Sequence, residues 1–154
     1  MIIKSNFFKD THLFFKKVSK KYILPNIGKL NKIDVSDKPD LSKVTKFDLL
    51  VENEMVEYFN KWDFNNIISE EHSSSLLKEN TYLTIDPIDG TRNFINGVNK
   101  VVIMVSYIEN EVSIFSIIYD PVEDLFYHTY NNVIYKNFVE IKNCKYESHI
   151  GYLG

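Results

Sequence analysis

Apolar residues recur at helical spacing in the first part of the chain, between about residues 6 and 22, with lysines between them. This periodicity is typical of an amphipathic helix that buries one face. Pro25 and Gly28 then break the pattern, as these residue types commonly do at helix ends. The sequence therefore predicts a first helix over residues 6–22. Its expected buried face is formed by Phe7, Phe14, Val18 and Tyr22.

A polar stretch separates this helix from the next apolar pattern. Residues 34–42 are polar and include Pro39, so a loop is predicted there. A second helix is predicted from near Asp48 to about Trp62, because apolar residues again recur every three to four positions. Its expected buried face is formed by Val51, Met55, Tyr58 and Phe59.

Beyond Trp62 the pattern changes to short runs rich in β-branched and aromatic residues, which are typical of strands. Residues 109–111 separate two of these runs and indicate a hairpin. Helices followed by strands predict an α+β fold, with N-terminal helices packed on a mostly antiparallel sheet. The predicted strands are residues 67–68, 82–85, 101–108, 112–119, 125–130, 133–135 and 139–141.

Composition and charge narrow the class of protein. The chain has 154 residues, 44% apolar and 25% charged, so we expect a single domain over residues 1–154 with one core. A net charge of −3 without a basic tract argues against a nucleic-acid partner. Cys144 is the single cysteine, which excludes a disulfide within the chain. No apolar run approaches the ~20 residues of a membrane span, so a soluble, cytoplasmic protein is expected.

One acidic segment carries most of the candidate chemistry. A predicted strand runs into Asp86 and Asp89, which are separated by Pro87 and Ile88. Pro87 fixes its own φ and biases Asp86 toward extended geometry, so both carboxylates can be offered at the strand end. The Ile88 carbonyl can point the same way. Carboxylate and carbonyl oxygens suit Mg²⁺ and suit zinc or copper poorly, so the segment predicts a magnesium site.

The residues that follow are suited to an anion. Gly90 lets the backbone approach a ligand closely, and a helix starting at Thr91 would offer free N–H groups and a favourable dipole to phosphate. Asp86, Pro87, Asp89 and Gly90 are also ordinary turn residues, so a plain turn is the alternative interpretation.

A second acidic pair, Glu70 and Glu71, follows the predicted strand at residues 67–68. If these carboxylates converged with Asp86 and Asp89, they would repel one another unless cations neutralised them. Such convergence would call for more than one metal ion. A solvated strand end is the alternative. The histidines without an identifiable partner, His72, His128 and His149, are interpreted as surface or packing residues.

Residues 86–91, followed by Asn93 and Phe94, resemble the signature of the inositol monophosphatase family. This family belongs to a wider group that includes fructose-1,6-bisphosphatases and 3′(2′),5′-bisphosphate nucleotidases. Glu70 and Glu71 resemble the family's Gly-Glu-Glu element, with a serine in place of the glycine.

Two further stretches are similar to the family. Tyr119, Asp120 and Pro121 resemble its strand ending in Tyr-Asp-Pro. Residues 38–48 resemble its Lys-Ser-Asp-Gly-Ser-Pro-Val-Thr-x-Ala-Asp stretch, although the Gly, Pro and Ala of that pattern are not matched. The positions that match are Lys38, Asp40, Ser42, Val44, Thr45 and Asp48.

The resemblance implies a set of metal ligands. Glu70, Asp86 and the Ile88 carbonyl would bind one Mg²⁺, and Asp86 and Asp89 would bind a second. Glu70 would also belong to the catalytic group. The fold implied is the first half of the inositol monophosphatase and fructose-bisphosphatase fold.

The resemblance also implies roles in catalysis and in phosphate binding. Thr91, paired with Asp48, would help to activate the attacking water. Gly90 and Thr91 would hold phosphate through backbone N–H groups, with Asp89 and Lys38 beside it. Asp48 could instead only cap the second helix, and Lys38 could be an ordinary loop lysine.

The implied function is Mg²⁺-dependent hydrolysis of a small phosphomonoester, such as inositol 1-phosphate, by metal-activated water. The family's chains continue into an α/β half with a Trp-Asp-x-Ala-Ala-Gly-like segment. This sequence has no such segment, since Trp62, its only tryptophan, and the Asp63 that follows it lie before the metal motif. We therefore expect a partial domain that acts with a separately encoded C-terminal half or as a homodimer. The alternative is an inactive remnant or a metal- and phosphate-binding module.

Overall fold

The computed structural model describes residues 3–38, 42–69 and 80–142. Glu70, Glu71, His72, Cys144 and His149 lie outside these ranges. The described α-helices are α1 (Phe7–Val18), α2 (Lys46–Asn60) and α3 (Thr91–Asn96), with a π-helical turn at Ser19–Ile23 and a 3₁₀ turn at Lys32–Asp34. The described strands are β1 (Val35–Asp37), β2 (Lys43–Thr45), β3 (Ile67–Ser69), β4 (Thr81–Asp89), β5 (Val102–Glu109), β6 (Val112–Asp120), β7 (Leu125–Tyr130), β8 (Val133–Lys136) and β9 (Val139–Glu140).

The first helix forms where the apolar periodicity predicts it, but its buried face is rotated. Phe7, Phe15 and Val18 are at most 1% exposed. Phe14 and Tyr22, which were expected in the core, are only partly buried against it. Positions 7, 11, 15 and 18 lie on one stripe of a 3.6-residue helix, and position 14 lies beside that stripe. The spacing of apolar residues predicted the helix, but packing against the rest of the protein decided which of its faces is buried.

The second helix begins two residues earlier than predicted because Thr45 caps it. The Thr45 hydroxyl accepts hydrogen bonds from the backbone N–H groups of Phe47 and Asp48, and the Asp48 carboxylate accepts one from the Thr45 N–H at 2.8 Å. This reciprocal pair satisfies N–H groups that the first turn leaves without partners. The predicted apolar face is largely confirmed, since Val51, Met55 and Phe59 are fully buried.

The predicted loop at residues 34–42 is partly wrong. β1 lies within it and pairs antiparallel with β2 in a small two-stranded sheet. Asp34, the last residue of the 3₁₀ turn before β1, is 7% exposed. It accepts a hydrogen bond from the Asn31 N–H and forms an ion pair with Lys46. The strand was not predicted because its composition is mostly polar. Its three residues pair only with the nearby β2 and need no periodic apolar face.

The main sheet has seven strands in the order β3-β4-β5-β6-β7-β8-β9. β3 and β4 are parallel, and every other neighbouring pair is antiparallel. The β5–β6 hairpin turns through two residues, Asn110 and Glu111, and both have positive φ. Two-residue turns that match the twist of the flanking strands require this conformation. The predicted α+β layout with a mostly antiparallel sheet is confirmed.

The core lies between the helices and one face of the sheet. It is dominated by phenylalanine rings, which fit the large area that each must bury. Phe115 of β6 packs against Phe7 of α1 and against Phe64, with ring centroids 5.3 and 5.8 Å apart. The sheet face turned away from α1 and α2 is less covered, since Ile118 of β6 is 43% exposed. The fully buried phenylalanines are Phe7, Phe15, Phe59, Phe94, Phe115 and Phe126.

His128 of β7, for which the sequence left a surface or a packing role open, is a packing residue. It is 6% exposed and stacks between Phe8 and Tyr135, with centroids 4.2 and 4.7 Å away. Its Nδ1 has no hydrogen-bond partner among the described residues. Burial lowers the pKa of His128 from 6.5 to about 4 because an imidazolium would lose its hydration there.

Acid should therefore destabilise the fold through His128. Protonation of His128 is disfavoured in the folded state. The stability that depends on its neutral form is therefore complete above pH 6.5 and is lost as the pH falls from 6.5 through about 4. We expect a loss of about 2.5 kcal/mol in the free energy of unfolding between about pH 7 and pH 4.5 from this group. Urea denaturation at both pH values measures it. His128→Phe should remove this part of the acid loss, and an equal loss in that variant would refute the assignment.

Candidate active site

The candidate site is built around the C-terminal end of β4. Asp86 pairs with Met104 of β5, and Asp89 pairs with Val102, with a register shift between the two. The strand continues through both aspartates, whereas the sequence suggested that it ended before them. Pro87 lies in the irregular stretch, where its missing N–H costs no regular ladder bond. Asp86 is partly buried and Asp89 is exposed.

Gly90 turns the chain from β4 into α3. Its φ is +89°, in the left-handed region, and an added Cβ would lie 2.7 Å from the Lys100 carbonyl oxygen. The Gly90 carbonyl accepts the Phe94 N–H at 3.0 Å, which closes the first turn of α3. A side chain at position 90 would therefore meet both backbone strain and a steric clash. The prediction that a short helix starts at Thr91 is confirmed, whereas the close approach of a ligand to Gly90 stays a prediction.

A backbone contact from the N-terminal segment holds the far end of α3. The Gly28 N–H donates to the Phe94 carbonyl at 2.8 Å. A Cβ added to Gly28 would lie 2.6 Å from the Gly97 Cα. Phe94 is fully buried and meets Phe47 of α2 edge-on, with centroids 5.9 Å apart. The position of α3 thus depends on segments that are far apart in the sequence.

Thr91 and Asp48 are joined across 43 residues. The Thr91 hydroxyl lies 3.3 Å from Asp48 Oδ1 and 3.1 Å from the Ile88 carbonyl oxygen. It has one proton, so it donates to one of these acceptors at a time. Asp48 Oδ2 is engaged by Thr45, which holds the carboxylate in place. The predicted pairing of Thr91 with Asp48 is present, together with the capping role that was its alternative.

Asp48 is 1% exposed, and its pKa is raised above the usual 3.8. Burial is the main cause, and the hydrogen bonds from Thr45, from the Asp48 N–H and from Thr91 act against it. Because the folded-state pKa is raised, the contribution of this group to stability is present below 3.8 and is lost as the pH rises through the folded pKa. The hydrogen bonds nevertheless give the ionised form four local donors, two of them from Thr45.

The structure says less about the other predicted site residues, Lys38 and Glu70, and about the metal ligands as a group. Lys38 follows β1, and its backbone N–H donates to the Ser42 carbonyl at 2.9 Å. Glu70 lies outside the described residues, although β3 ends beside β4 with Ser69 level with Ile85. Within the described ranges, no group of three or more His, Cys, Asp or Glu residues is close enough to hold a metal ion. The described oxygen donors are the Asp86 and Asp89 carboxylates and the Ile88 carbonyl, a set that fits hard cations such as Mg²⁺ or Ca²⁺.

The sequence analysis missed two features near the site. Glu52 is 2% exposed and lies one helical turn after Asp48, so α2 carries two buried carboxylates on one face. An acidic residue four positions after another, within an apolar face, was the available signal. A hollow of about 350 Å³ also opens beside Asp89 and Gly90, and Lys100 and Asp120 line it.

No helix among the described residues is long and apolar enough to cross a membrane. This agrees with the absence of a long apolar run in the sequence.

Comparison with known proteins places this geometry in a family. Residues 15–145 match the inositol monophosphatase family. Among curated relatives, the 3′(2′),5′-bisphosphate nucleotidase CysQ of Buchnera aphidicola is 32% identical over 108 residues, which cover 68% of this chain and 41% of that protein.

Two solved structures share the fold. An IMPase of Thermotoga maritima has a TM-score of 0.76 at 22% identity, covering 90% of this chain and 54% of that one. An IMPase/NADP phosphatase complexed with Mg²⁺ and phosphate has a TM-score of 0.72 at 17% identity, covering 87% and 50%. The chain therefore spans about half the length of the relatives that it matches. With the Asp-Pro-Ile-Asp-Gly-Thr segment at the end of β4 and the family match over most of its length, the chain belongs to the inositol monophosphatase family.

Proposed function

We propose that this chain supplies the metal- and phosphate-binding half of an enzyme that hydrolyses a small phosphomonoester, such as inositol 1-phosphate, with Mg²⁺. The observation that carries the proposal is the Thr91 hydroxyl, held 3.3 Å from Asp48 and 3.1 Å from the Ile88 carbonyl. This hydroxyl lies directly after the strand end that bears Asp86 and Asp89. The proposed nucleophile-orienting group and the proposed oxygen ligands of this chain therefore lie at the same end of one strand.

The proposed metal ligands are Glu70, Asp86 and the Ile88 carbonyl for one cation, and Asp86 and Asp89 for a second. Support comes from strand register, because Ser69 is level with Ile85, and the residues that follow these two in the sequence, Glu70 and Asp86, are both acidic. A bound divalent cation would neutralise these carboxylates and lower the pKa of water. Mg²⁺ is preferred because it binds a few carboxylates and keeps sites for water and phosphate oxygens. Related structures complexed with Mg²⁺ and phosphate or with Ca²⁺ support a divalent cation here.

Thr91 would orient the attacking water. When its hydroxyl donates to Asp48, the oxygen lone pairs remain available to accept a hydrogen bond from water. Asp48 is fixed by Thr45, so it can hold the Thr91 proton in one direction. Thr91 is partly exposed as a residue, whereas Asp48 is buried.

The phosphate would be held at the start of α3. The first N–H groups of a helix point outward and attract an anion, which gives Gly90 and Thr91 their proposed role. Asp89 is exposed beside them, and Lys38 would add a positive charge. The hollow beside Asp89 leaves room for the organic part of a small substrate. We place this activity in the cytoplasm.

The experiment that tests the proposal is phosphate release from a panel of small phosphomonoesters with and without Mg²⁺. The chain is assayed alone and together with the second half of a family member. We expect Mg²⁺-dependent release that Asp89→Asn abolishes, and a rise in melting temperature with Mg²⁺ in the unsubstituted chain. Asp89 is exposed, so the substitution should leave the fold intact. Release that is indifferent to both Mg²⁺ and Asp89→Asn would reject the catalytic assignment.

Thr91 offers a sharper test of mechanism. Thr91→Ser keeps the hydroxyl and should retain most of the activity, whereas Thr91→Val keeps the shape and should reduce the rate roughly a hundredfold. Both variants should keep the Mg²⁺-induced rise in melting temperature, because Thr91 is not a proposed ligand. Equal rates for the two variants would show that the hydroxyl is not needed.

A second candidate function is a non-catalytic metal- and phosphate-binding module or an inactive remnant. It is favoured by the coverage of about half of each related structure. This function predicts that Mg²⁺ raises the melting temperature while no substrate in the panel releases phosphate. The absence of release should hold for the chain alone, for a homodimer and with the second half added. The same two measurements therefore separate the two functions.

A further inference from the structure

A hollow of about 360 Å³ lies at the root of the β1–β2 hairpin. Three parts of the chain form its walls: the segment just before β1, the hairpin itself and the second half of α3. It shares no described lining residue with the hollow beside Asp89, so it is a separate concavity. The residues that line it are Leu30, Asn31, Lys32, Val35, Lys43 and Ile95.

Half of this lining is apolar. Leu30, Val35 and Ile95 come from the three different walls, and each is partly exposed. Single exposed apolar side chains are normal on a protein surface, but apolar side chains that converge in a concavity of ~300–1,000 Å³ are typical of a small-molecule site. The hollow is therefore suited to a short apolar body.

The charged part of the lining is positive. Lys32 approaches the hollow from the segment before β1, and Lys43 approaches it from β2. Lys43 pairs with Asp37 across the hairpin, but the Asp37 side chain is 65% exposed, and surface ion pairs of this kind are weak. Lys32 makes no ion pair with a described carboxylate, and the nearby Asp34 already pairs with Lys46. A net positive charge therefore remains at the rim of the hollow.

We propose that this hollow binds a small amphipathic organic anion. The apolar body of the ligand lies against Leu30, Val35 and Ile95, and its anionic group lies between Lys32 and Lys43. The apolar lining alone would accept any small apolar molecule, whereas the lysines favour a negatively charged group and repel a cation. Carboxylates and phosphate esters share this chemistry. The site contains none of the proposed metal or phosphate ligands, so the inference goes beyond the proposed function and does not rest on it.

Three probes of equal chain length test the assignment: octanoate, 1-octanol and octylammonium. They carry the same apolar body and differ in the charge of the head group. Binding to the full chain is followed by two-dimensional ¹H–¹⁵N NMR, below the concentration at which each probe forms micelles. The backbone amides of Lys32, Lys43 and Ile95 are the reporters. Mg²⁺ and substrate are left out, so the result is independent of any phosphatase activity.

We expect octanoate to give saturable shifts centred on these three amides, and 1-octanol and octylammonium to bind at least about tenfold more weakly. Equal binding of octanoate and 1-octanol would show an apolar surface without selection for charge, and would overturn the proposal. Octanoate shifts centred on Gly90 and Thr91 would place the carboxylate at the proposed phosphate site, and would also overturn it. The absence of saturable shifts with octanoate would do the same.

Lysine variants test which charges are responsible. Lys32→Gln and Lys43→Gln should each weaken octanoate binding about threefold to tenfold and leave 1-octanol binding unchanged. Lys29→Gln is the matched control, because Lys29 is an exposed lysine on the same segment that does not line the hollow. All three residues lie at the surface, so the variants should fold. An equal effect of Lys29→Gln, or no effect of either lining variant, would reject the assignment of the anion to this hollow.

Discussion

Replacing Gly90 by alanine should destabilise the fold by about 2–3 kcal/mol and remove the rise in melting temperature that the proposed function predicts with Mg²⁺. The residue has φ +89°, and the new Cβ would lie 2.7 Å from the Lys100 carbonyl oxygen. Because the Lys100 oxygen is a backbone atom, the contact can be relieved only if the backbone at Gly90 or at Lys100 moves. α3 would shift, and the bonds from Thr91 to Asp48 and the Ile88 carbonyl would be lost. Urea denaturation and thermal melting with and without Mg²⁺ measure both effects.

Gly97→Ala is the control for Gly90→Ala. Gly97 has φ +75°, close to that of Gly90, but its added Cβ would meet the Gly28 Cα at an ordinary 3.4 Å. It should therefore show the backbone strain alone, about 1–2 kcal/mol, and keep the response to Mg²⁺. Equal losses of stability and of Mg²⁺ response in the two variants would show that the Lys100 contact has no special effect on the site.

Replacing Phe115 by alanine should destabilise the protein by about 3–5 kcal/mol, through lost burial and a cavity that the surroundings cannot fill. Phe115 is fully buried and contacts the rings of Phe7, Phe64 and Tyr107, so it joins α1, the segment before β3 and the sheet. In a chain of 154 residues, this loss should lower the melting temperature by about 10 °C. Thermal unfolding followed by circular dichroism measures it.

Ile118→Ala is the matched control for Phe115→Ala, because Ile118 lies on the same strand but on the opposite face and is 43% exposed. We expect a loss of about 1 kcal/mol or less, since little of its area is buried in the isolated chain. A loss as large as that of Phe115→Ala would mean that the outer face is covered in the isolated chain.

Most of the local elements could be predicted from the sequence. The strands from β5 to β8 match the predicted runs within one residue, because alternation and β-branched residues act over a few positions. The errors have local physical causes. β1 was missed because short, polar strands carry no periodic signal, and the start of α2 was misplaced because the Thr45 cap was not considered.

The candidate site was predictable in part. Asp86, Ile88, Asp89, Gly90 and Thr91 were found because they are contiguous, and contiguous residues can be read as a motif. Glu70 remains a prediction, as it lies outside the described residues. The roles of Lys38 and of the metal ligands also remain proposals. Glu52 was missed because an acidic residue in a helix is usually exposed, and only packing makes it buried.

The sequence by itself determined the order of helices and strands and the family, because periodicity and a contiguous motif depend on neighbouring residues. The tertiary structure alone decided the contact of Thr91 with Asp48, 43 residues away, the stripe of α1 that is buried and the burial of His128. It also decided which sheet face the helices cover and which face, bearing Ile118, they leave more exposed. The reason is that strand register and layer packing join distant segments, and no local pattern encodes which distant segment a residue will meet.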